Sequence, residues 1–151
     1  MKKIITVTGK KGSRKYDVAE KFGRNTNVSF IKPVTDDKTV NRIDFRYIER
    51  DRLSARIESE NPLQTTILKG WRYCHFPSQL DNDFNVLIVD DFAVQEVKEN
   101  YRDVVTVYVE GGTTTERVGM ALSPEWFDYV VVDGMDLDYL IEQNAADMME
   151  I

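Results

Sequence analysis

Lys3-Ile4-Ile5-Thr6-Val7-Thr8-Gly9-Lys10-Lys11-Gly12-Ser13-Arg14-Lys15-Tyr16 runs from an apolar, β-branched segment into a basic loop with two glycines. Residues 3–8 predict a strand, and residues 16–22, closed by Gly23, predict a short helix. Strand, glycine-bearing loop and helix in that order can hold an anion. The glycines let backbone N–H groups turn toward oxygen, and a lysine reaches the terminal phosphates. Gly9, Gly12 and Lys15 fall where such a loop needs them. The fit to G-x-x-x-x-G-K-S/T is incomplete, because Arg14 stands at the glycine before the lysine and Tyr16 at the hydroxyl position.

Outward from this unit the chain alternates strand and helix patterns. Residues 27–31 predict a second strand and residues 33–41 a polar loop; residues 43–48 alternate apolar and polar, the mark of a half-buried strand. Residues 50–60 predict a helix with Leu53 and Ile57 on one face, and residues 65–68 and 71–76 a hairpin around Gly70. Trp71, Tyr73 and Phe76 read as hairpin core, with Tyr73 also a candidate ligand contact. Residues 85–89 form a continuous apolar run ending in Asp90-Asp91, the form of a strand buried on both faces. A helix over 93–100, strands over 104–109 and 127–132, a turn at Asp133-Gly134 and a helix over 137–149 complete the reading. The order implies an α/β fold with a mainly parallel sheet, whose ligands sit at the carboxyl ends of the strands. Carboxylates such as Asp90 and Asp91 at such an end rarely serve packing.

Composition bounds the functions. With 151 residues, 42% of them hydrophobic, the chain can build a single domain with a sizeable core. Residues 1–25 hold eight Lys/Arg against Asp17 and Glu20, a net +6, and the other 126 residues carry −12. A local basic patch on an acidic protein points to a local anion site and away from nucleic acid, which needs an extended positive surface. No apolar run is long enough for a membrane span or a signal sequence, so a cytoplasmic protein without membrane attachment is expected. Cys74 and His75 are the only residues of their kinds; they form no zinc set, and both read as structural residues.

Five segments in order resemble the guanylate kinase family over nearly the whole chain. Gly9 to Tyr16 stands where that family has G-x-x-G-x-G-K-S/T. Val28-Ser29 through Asp44-Phe45-Arg46-Tyr47 matches the spacing of V-S-x-T-T-R-x-P-R-x-G-E followed by D-Y-x-F. Gly70-Trp71-Arg72-Tyr73-Cys74 resembles G-N-Y-Y-G, and Asn85 to Asp91 resembles D-V-L-L-x-I-D-x-Q-G. Phe127 to Asp133 is similar to Y-D-Y-V-V-V-N. The resemblance implies a phosphate-loop kinase fold with a core over 1–31 and 84–151 and a small β-rich acceptor subdomain over about 32–83. It implies transfer of a phosphoryl group from ATP, with Mg²⁺, to a nucleoside monophosphate.

Carried over residue by residue, the resemblance makes Lys15 and Asp91 the catalytic candidates. Gly9, Lys10, Lys11, Gly12, Ser13, Arg14, Lys15 and Tyr16 would form the nucleotide loop. Ser29, Lys32, Gln64, Tyr73 and Asp91 would meet the acceptor, with Gln64 roughly where the family reads guanine with a glutamate. The departures fall on the phosphate chemistry. Pro33 and Asp36 replace two phosphate-clamping arginines, and a carboxylate there adds repulsion. Phe45 replaces a phosphate-contacting tyrosine. Tyr16 replaces the small hydroxyl beside Mg²⁺, with Asp17 the one nearby substitute, and Arg14 restricts positive φ where the family has glycine. Residues 110–126, the counterpart of a longer arginine-bearing lid, contain only Arg117.

Three readings follow. The first is a nucleotide-binding protein of guanylate-kinase type with weak or lost catalysis. The second is an active kinase of altered acceptor preference, in which Lys32, Arg42 or Arg46 restores the positive charge. The third is a protein-interaction module that holds an acidic or phosphorylated segment of a protein partner in the former acceptor cleft.

Overall fold

The computed structural model describes residues 2–10, 12–24, 27–111 and 124–131. The expected helix over 137–149, the Asp133-Gly134 turn, Arg117 and Lys11 lie outside them.

The main sheet is built on β1 (Lys3–Gly9), whose residues Ile4 to Thr8 are all buried, as a central strand covered on both faces requires. Around it lie β7 (Phe84–Ile88) and β8 (Val104–Val109), with β2 (Val28–Phe30) and β9 (Tyr129–Val131) at the edges. All four pairings are parallel, giving the order β2-β7-β1-β8-β9. On one face Ile5, Val7, Val86 and Val107 pack against Val18, Ala19 and Phe22 of α1 (Lys15–Phe22). On the other, Ile4, Leu87 and Tyr108 pack against Ala93, Val94 and Val97 of α3 (Asp91–Asn100). The chain leaves β1 toward β2 on one side and later returns to β8 on the other. The carboxyl ends of β1 and β7 therefore flank the crevice where open α/β sheets bind ligands.

A second sheet runs β4-β3-β6-β5: β3 (Val34–Thr35), β4 (Arg46–Tyr47), β5 (Gln64–Leu68) and β6 (Trp71–His75). The hairpin β5–β6 pairs Gln64 with His75 and Thr66 with Tyr73 across a turn at Lys69-Gly70, both at positive φ. Alternation then separates two faces. Gln64, Thr66, Tyr73 and His75 face the crevice, whereas Cys74 packs with Val34, Leu53 and Phe76 under α2 (Arg50–Glu60). No helix among the described residues is long and apolar enough to cross a membrane.

Two local expectations are corrected. The strand expected over 43–48 pairs only at Arg46-Tyr47, because the Asn41 side-chain oxygen accepts from the N–H groups of Ile43 (3.1 Å) and Asp44 (2.7 Å) and turns the chain before it can enter the sheet. The expected polar loop over 33–41 contains β3, and its Asp36 and Asp37 are buried, 3% and 7% exposed. Boundaries shift where caps decide them: α3 starts at Asp91 because the Asp90 carboxylate accepts from Ala93 N–H at 2.7 Å.

Candidate functional site

The loop after β1 folds tightly. Ser13 N–H donates to the Lys10 carbonyl at 3.0 Å, and the residue at positive φ is Gly12, at 83°. Arg14, at φ −89°, enters α1 without the backbone restriction expected of it. Gly9 is required by space: a Cβ there would stand 2.5 Å from Ser13 Oγ and 2.9 Å from the Val109 carbonyl. Lys15 opens α1 and donates from Nζ to the Gly9 carbonyl at 3.0 Å, so its ammonium lies across the loop. Half-burial lowers its pKa, and the neighbouring Asp90 carboxylate opposes that shift. The Tyr16 hydroxyl is pushed up from its ordinary value, first by burial and then by Asp44.

Lys15 and Tyr16 share with the hairpin a cleft of about 390 Å³, whose lining does not include Gly9, Lys10, Gly12, Ser13 or Arg14. Lys15, Tyr16 and Asp90 stand at one end, Gln64, Thr66, Tyr73 and His75 at the other, and Pro33, Phe45, Leu68 and Ile88 line the walls. Among the described lining residues Lys15 is the one cation, against Asp44 and Asp90. The Phe45 and Tyr73 rings meet edge to face at 5.9 Å. Aromatic and aliphatic walls with a few polar groups suit a flat, partly polar group, and Lys15 is the one point of the described lining that favours an anion over the two carboxylates.

The hairpin's polar groups already partner one another. Gln64 Nε2 and His75 Nδ1 are 2.6 Å apart, both side chains are 2% exposed, and Thr66 Oγ1 donates to Gln64 Oε1 at 3.0 Å. Complete burial pushes the His75 pKa down to about 4, against a raising contribution from the Ile31 backbone, so the ring is neutral at pH 7. The Tyr73 hydroxyl donates to Asp37 Oδ2 at 2.7 Å. Burial first, then that bond, takes its pKa up to about 12. Asp37 is held below the usual carboxylate range by the Thr39 hydroxyl and then by Tyr73.

The structure brings Lys15, Tyr16, Gln64 and Tyr73 together, and it separates other expected residues from them. Ser29 Oγ accepts from Asn82 Nδ2 at 2.7 Å, away from the cleft lining. Lys32 lines a different depression, of about 300 Å³, with Arg46 and Arg56. Asp91 is 2% exposed and off the lining, and the carboxylate that faces Lys15 belongs to Asp90. Asp36 does not repel a ligand in the cleft. Its side chain takes Arg72 N–H at 2.8 Å and Arg72 Nε at 3.1 Å, and Arg72 goes on to the Arg50 carbonyl and Ser54 Oγ on α2. Cys74 is structural, as expected; His75, expected to be so too, lines the cleft. Its signal was available, since period-two alternation from Tyr73 and the register set by the Lys69-Gly70 turn place His75 opposite Gln64.

No family model and no curated protein sequence matches the chain. In three dimensions it is similar to the crystal structure of guanylate kinase from Anaplasma phagocytophilum, with a TM-score of 0.70 and 16% sequence identity over 99% of this chain and 85% of that one. Together with the parallel sheet, the flanking helices and the small mixed sheet, this likeness makes the fold guanylate-kinase-like.

Proposed function

We propose that the chain is a nucleotide-binding protein of guanylate-kinase type whose phosphoryl-transfer chemistry is weak or lost. The observation that carries the reading is one cleft lined both by Lys15 and Tyr16, which end the Gly9 to Tyr16 loop, and by an aromatic, amide-bearing hairpin face. Phosphates lie at the loop, Lys15 supplies the charge, and the base stacks between the Phe45–Tyr73 wall and Ile88. Weak transfer follows from charge. Phosphoryl transfer draws most of its acceleration from preorganised positive groups, and this cleft sets Lys15 against two carboxylates. The groups that would restore activity as a kinase of altered preference stand elsewhere. Arg42 stacks on Tyr47 with its guanidinium carbon 4.4 Å from the ring centroid, and Lys32 and Arg46 line the second depression. An interaction module, expected to use the acceptor cleft, would find more positive charge in that depression, where Lys32, Arg46 and Arg56 stand with Asp81; capture of an acidic or phosphorylated segment that is lost in Lys32→Glu and retained in Lys15→Ala supports it.

Calorimetric titration with ATP, GTP, GMP and dGMP tests the main reading. Binding of at least one, weakened about tenfold or more by Lys15→Ala, is expected, corresponding to about 1.4 kcal/mol. Absence of heat with all four at millimolar concentration overturns it. A coupled ADP-release assay over the common monophosphates is expected to show turnover near background.

A further inference from the structure

The depression beside Lys32, of about 300 Å³, shares no lining residue with the cleft. It forms where the end of β2, β4, α2 and the short turn Pro77–Gln79 converge. Lys32 and Arg46 line it, whereas their chain neighbours Pro33 and Phe45 line the cleft, so these two segments divide one site from the other.

On a chain of net charge −6, this lining sets Lys32, Arg46 and Arg56 against Asp81. Arg56 is held in place. Its guanidinium carbon lies 4.2 Å from the Phe76 ring centroid, Nε donates to Glu60 Oε2 at 3.2 Å, and Nη2 donates to Ser78 Oγ at 2.9 Å. These bonds use two of the guanidinium's N–H donors and leave the others open. With Glu60 counted beside Asp81 the three cations still outnumber the carboxylates. Lys32 and Arg46 are exposed, and their side chains have no hydrogen bond or ion pair among the described residues. The Lys32 backbone is nevertheless fixed, because its carbonyl accepts from Gln79 Nε2 at 2.7 Å. Two open cations around a preset guanidinium match a phosphate monoester, which brings three acceptor oxygens and about two negative charges.

The site has no slot for a nucleobase. Phe76 lies beneath Arg56 and is fully buried, and Phe30 packs into the core of the main sheet. What the depression offers beside its charge is an apolar floor of Phe30 and Ile31 and a strand edge. Arg46 stands on β4, which is the edge of the small sheet and pairs on one side only among the described residues. An extended chain can lie along such an edge. We infer that this depression binds a phosphorylated segment of a partner protein, its phosphate taken by Lys32, Arg46 and Arg56 and its flanking residues lying along β4. Occupancy here is independent of the nucleotide cleft.

The test is an array of degenerate peptides with a fixed central phosphoserine, set beside the same peptides with serine and exposed to the labelled full chain. Retention on the phosphorylated set above the serine set is expected. The peptide retained best is then titrated by fluorescence anisotropy. It is expected to bind about tenfold more weakly to Lys32→Glu and to Arg46→Glu, two exposed positions, and more weakly to Arg56→Lys, which keeps the charge and loses the planar fork. Lys15→Ala is expected to bind it as the parent does, and neither ATP nor millimolar inorganic phosphate is expected to displace it. Equal retention of the two sets, or unchanged affinity in both Lys32→Glu and Arg46→Glu, overturns the assignment. Loss in Lys15→Ala or displacement by ATP overturns it by moving the peptide to the cleft, and displacement by inorganic phosphate overturns it by reducing the depression to a free-ion site. None of these outcomes alters the nucleotide titrations, which stand or fall on the cleft.

Discussion

The two ends of the cleft differ in how many of their polar groups are already paired. At the loop end, Lys15 donates to the Gly9 carbonyl beside the Asp90 carboxylate, and Ser13 Oγ has no partner among the described residues. At the hairpin end, Gln64 bridges Thr66 and His75 Nδ1, His75 Nε2 is buried without a partner among the described residues, and Tyr73 is taken by Asp37. A ligand competes with one backbone carbonyl for Lys15 at the first end, and with the Gln64–Thr66 and Tyr73–Asp37 bonds at the second. On the proposed reading, affinity is expected to come chiefly from the phosphates, and the hairpin to contribute shape and stacking more than hydrogen-bonded selection. Guanine and adenine nucleotides with the same phosphate chain are expected to bind within about tenfold of each other.

The largest expected effect would break the hairpin end while leaving the loop in place. Asp36→Ala strips Arg72 of both its carboxylate contacts and leaves the guanidinium beside α2, 21% exposed, with only a carbonyl and a hydroxyl. It is expected to cost about 3 kcal/mol in urea unfolding, and tripolyphosphate binding is expected to persist at temperatures where the variant remains folded.

Next comes the pH dependence of the buried imidazole. His75 has a folded pKa of about 4 against an ordinary 6.5, so as pH falls the unfolded chain takes up the proton first. The resulting stability is fully present above pH 6.5 and is lost progressively between about 6.5 and 4. The total is about 3 kcal/mol at 1.36 kcal/mol per unit. His75→Gln, compared with the parent at each pH, is expected to remove this part of the slope; equal slopes would mean that the imidazole is reached by water.

At the loop end, Gly9→Ala places a methyl group against the Val109 carbonyl and Ser13 Oγ. A loss of about 2 kcal/mol is expected, together with loss of tripolyphosphate binding, read by thermal unfolding with and without the ligand. The smallest effect belongs to Tyr73→Phe. It removes one of the donors to Asp37, keeps the ring against Phe45, and is expected to cost about 1 kcal/mol in urea while changing nucleotide affinity less than Lys15→Ala does.

The sheet and the helices of the described residues were legible because burial on both faces writes itself into β-branched runs such as Ile4 to Thr8 and apolar runs such as Val86 to Val89. The small sheet was less so. β3 is two residues long, and what buries Asp36 is Arg72, 36 positions away, which no local pattern records. The same distance in sequence explains the misreading of Asp36 as a repulsive group in the cleft. Lys15, Gln64 and Tyr73, singled out because their types and positions signal chemistry, line one cleft. His75 was passed over because a lone histidine carries no such signal until hairpin register sets it opposite Gln64. Asp91 was preferred to Asp90 on the family pattern, yet the turn from β7 into α3 buries the former and leaves the latter beside Lys15. Ser29 and Lys32 matched in spacing as well, and the path of β2 carries both away from the cleft.

The most direct test of a phosphate-led nucleotide site is a crystal structure of the chain grown with ATP. Density for the phosphates is expected over Gly9 to Lys15, within hydrogen-bond reach of Lys15 Nζ and Ser13 Oγ, with the base between the Phe45–Tyr73 wall and Ile88. Phosphate density confined to the depression of Lys32, Arg46 and Arg56, with the Gly9 to Lys15 loop bare, would contradict the account.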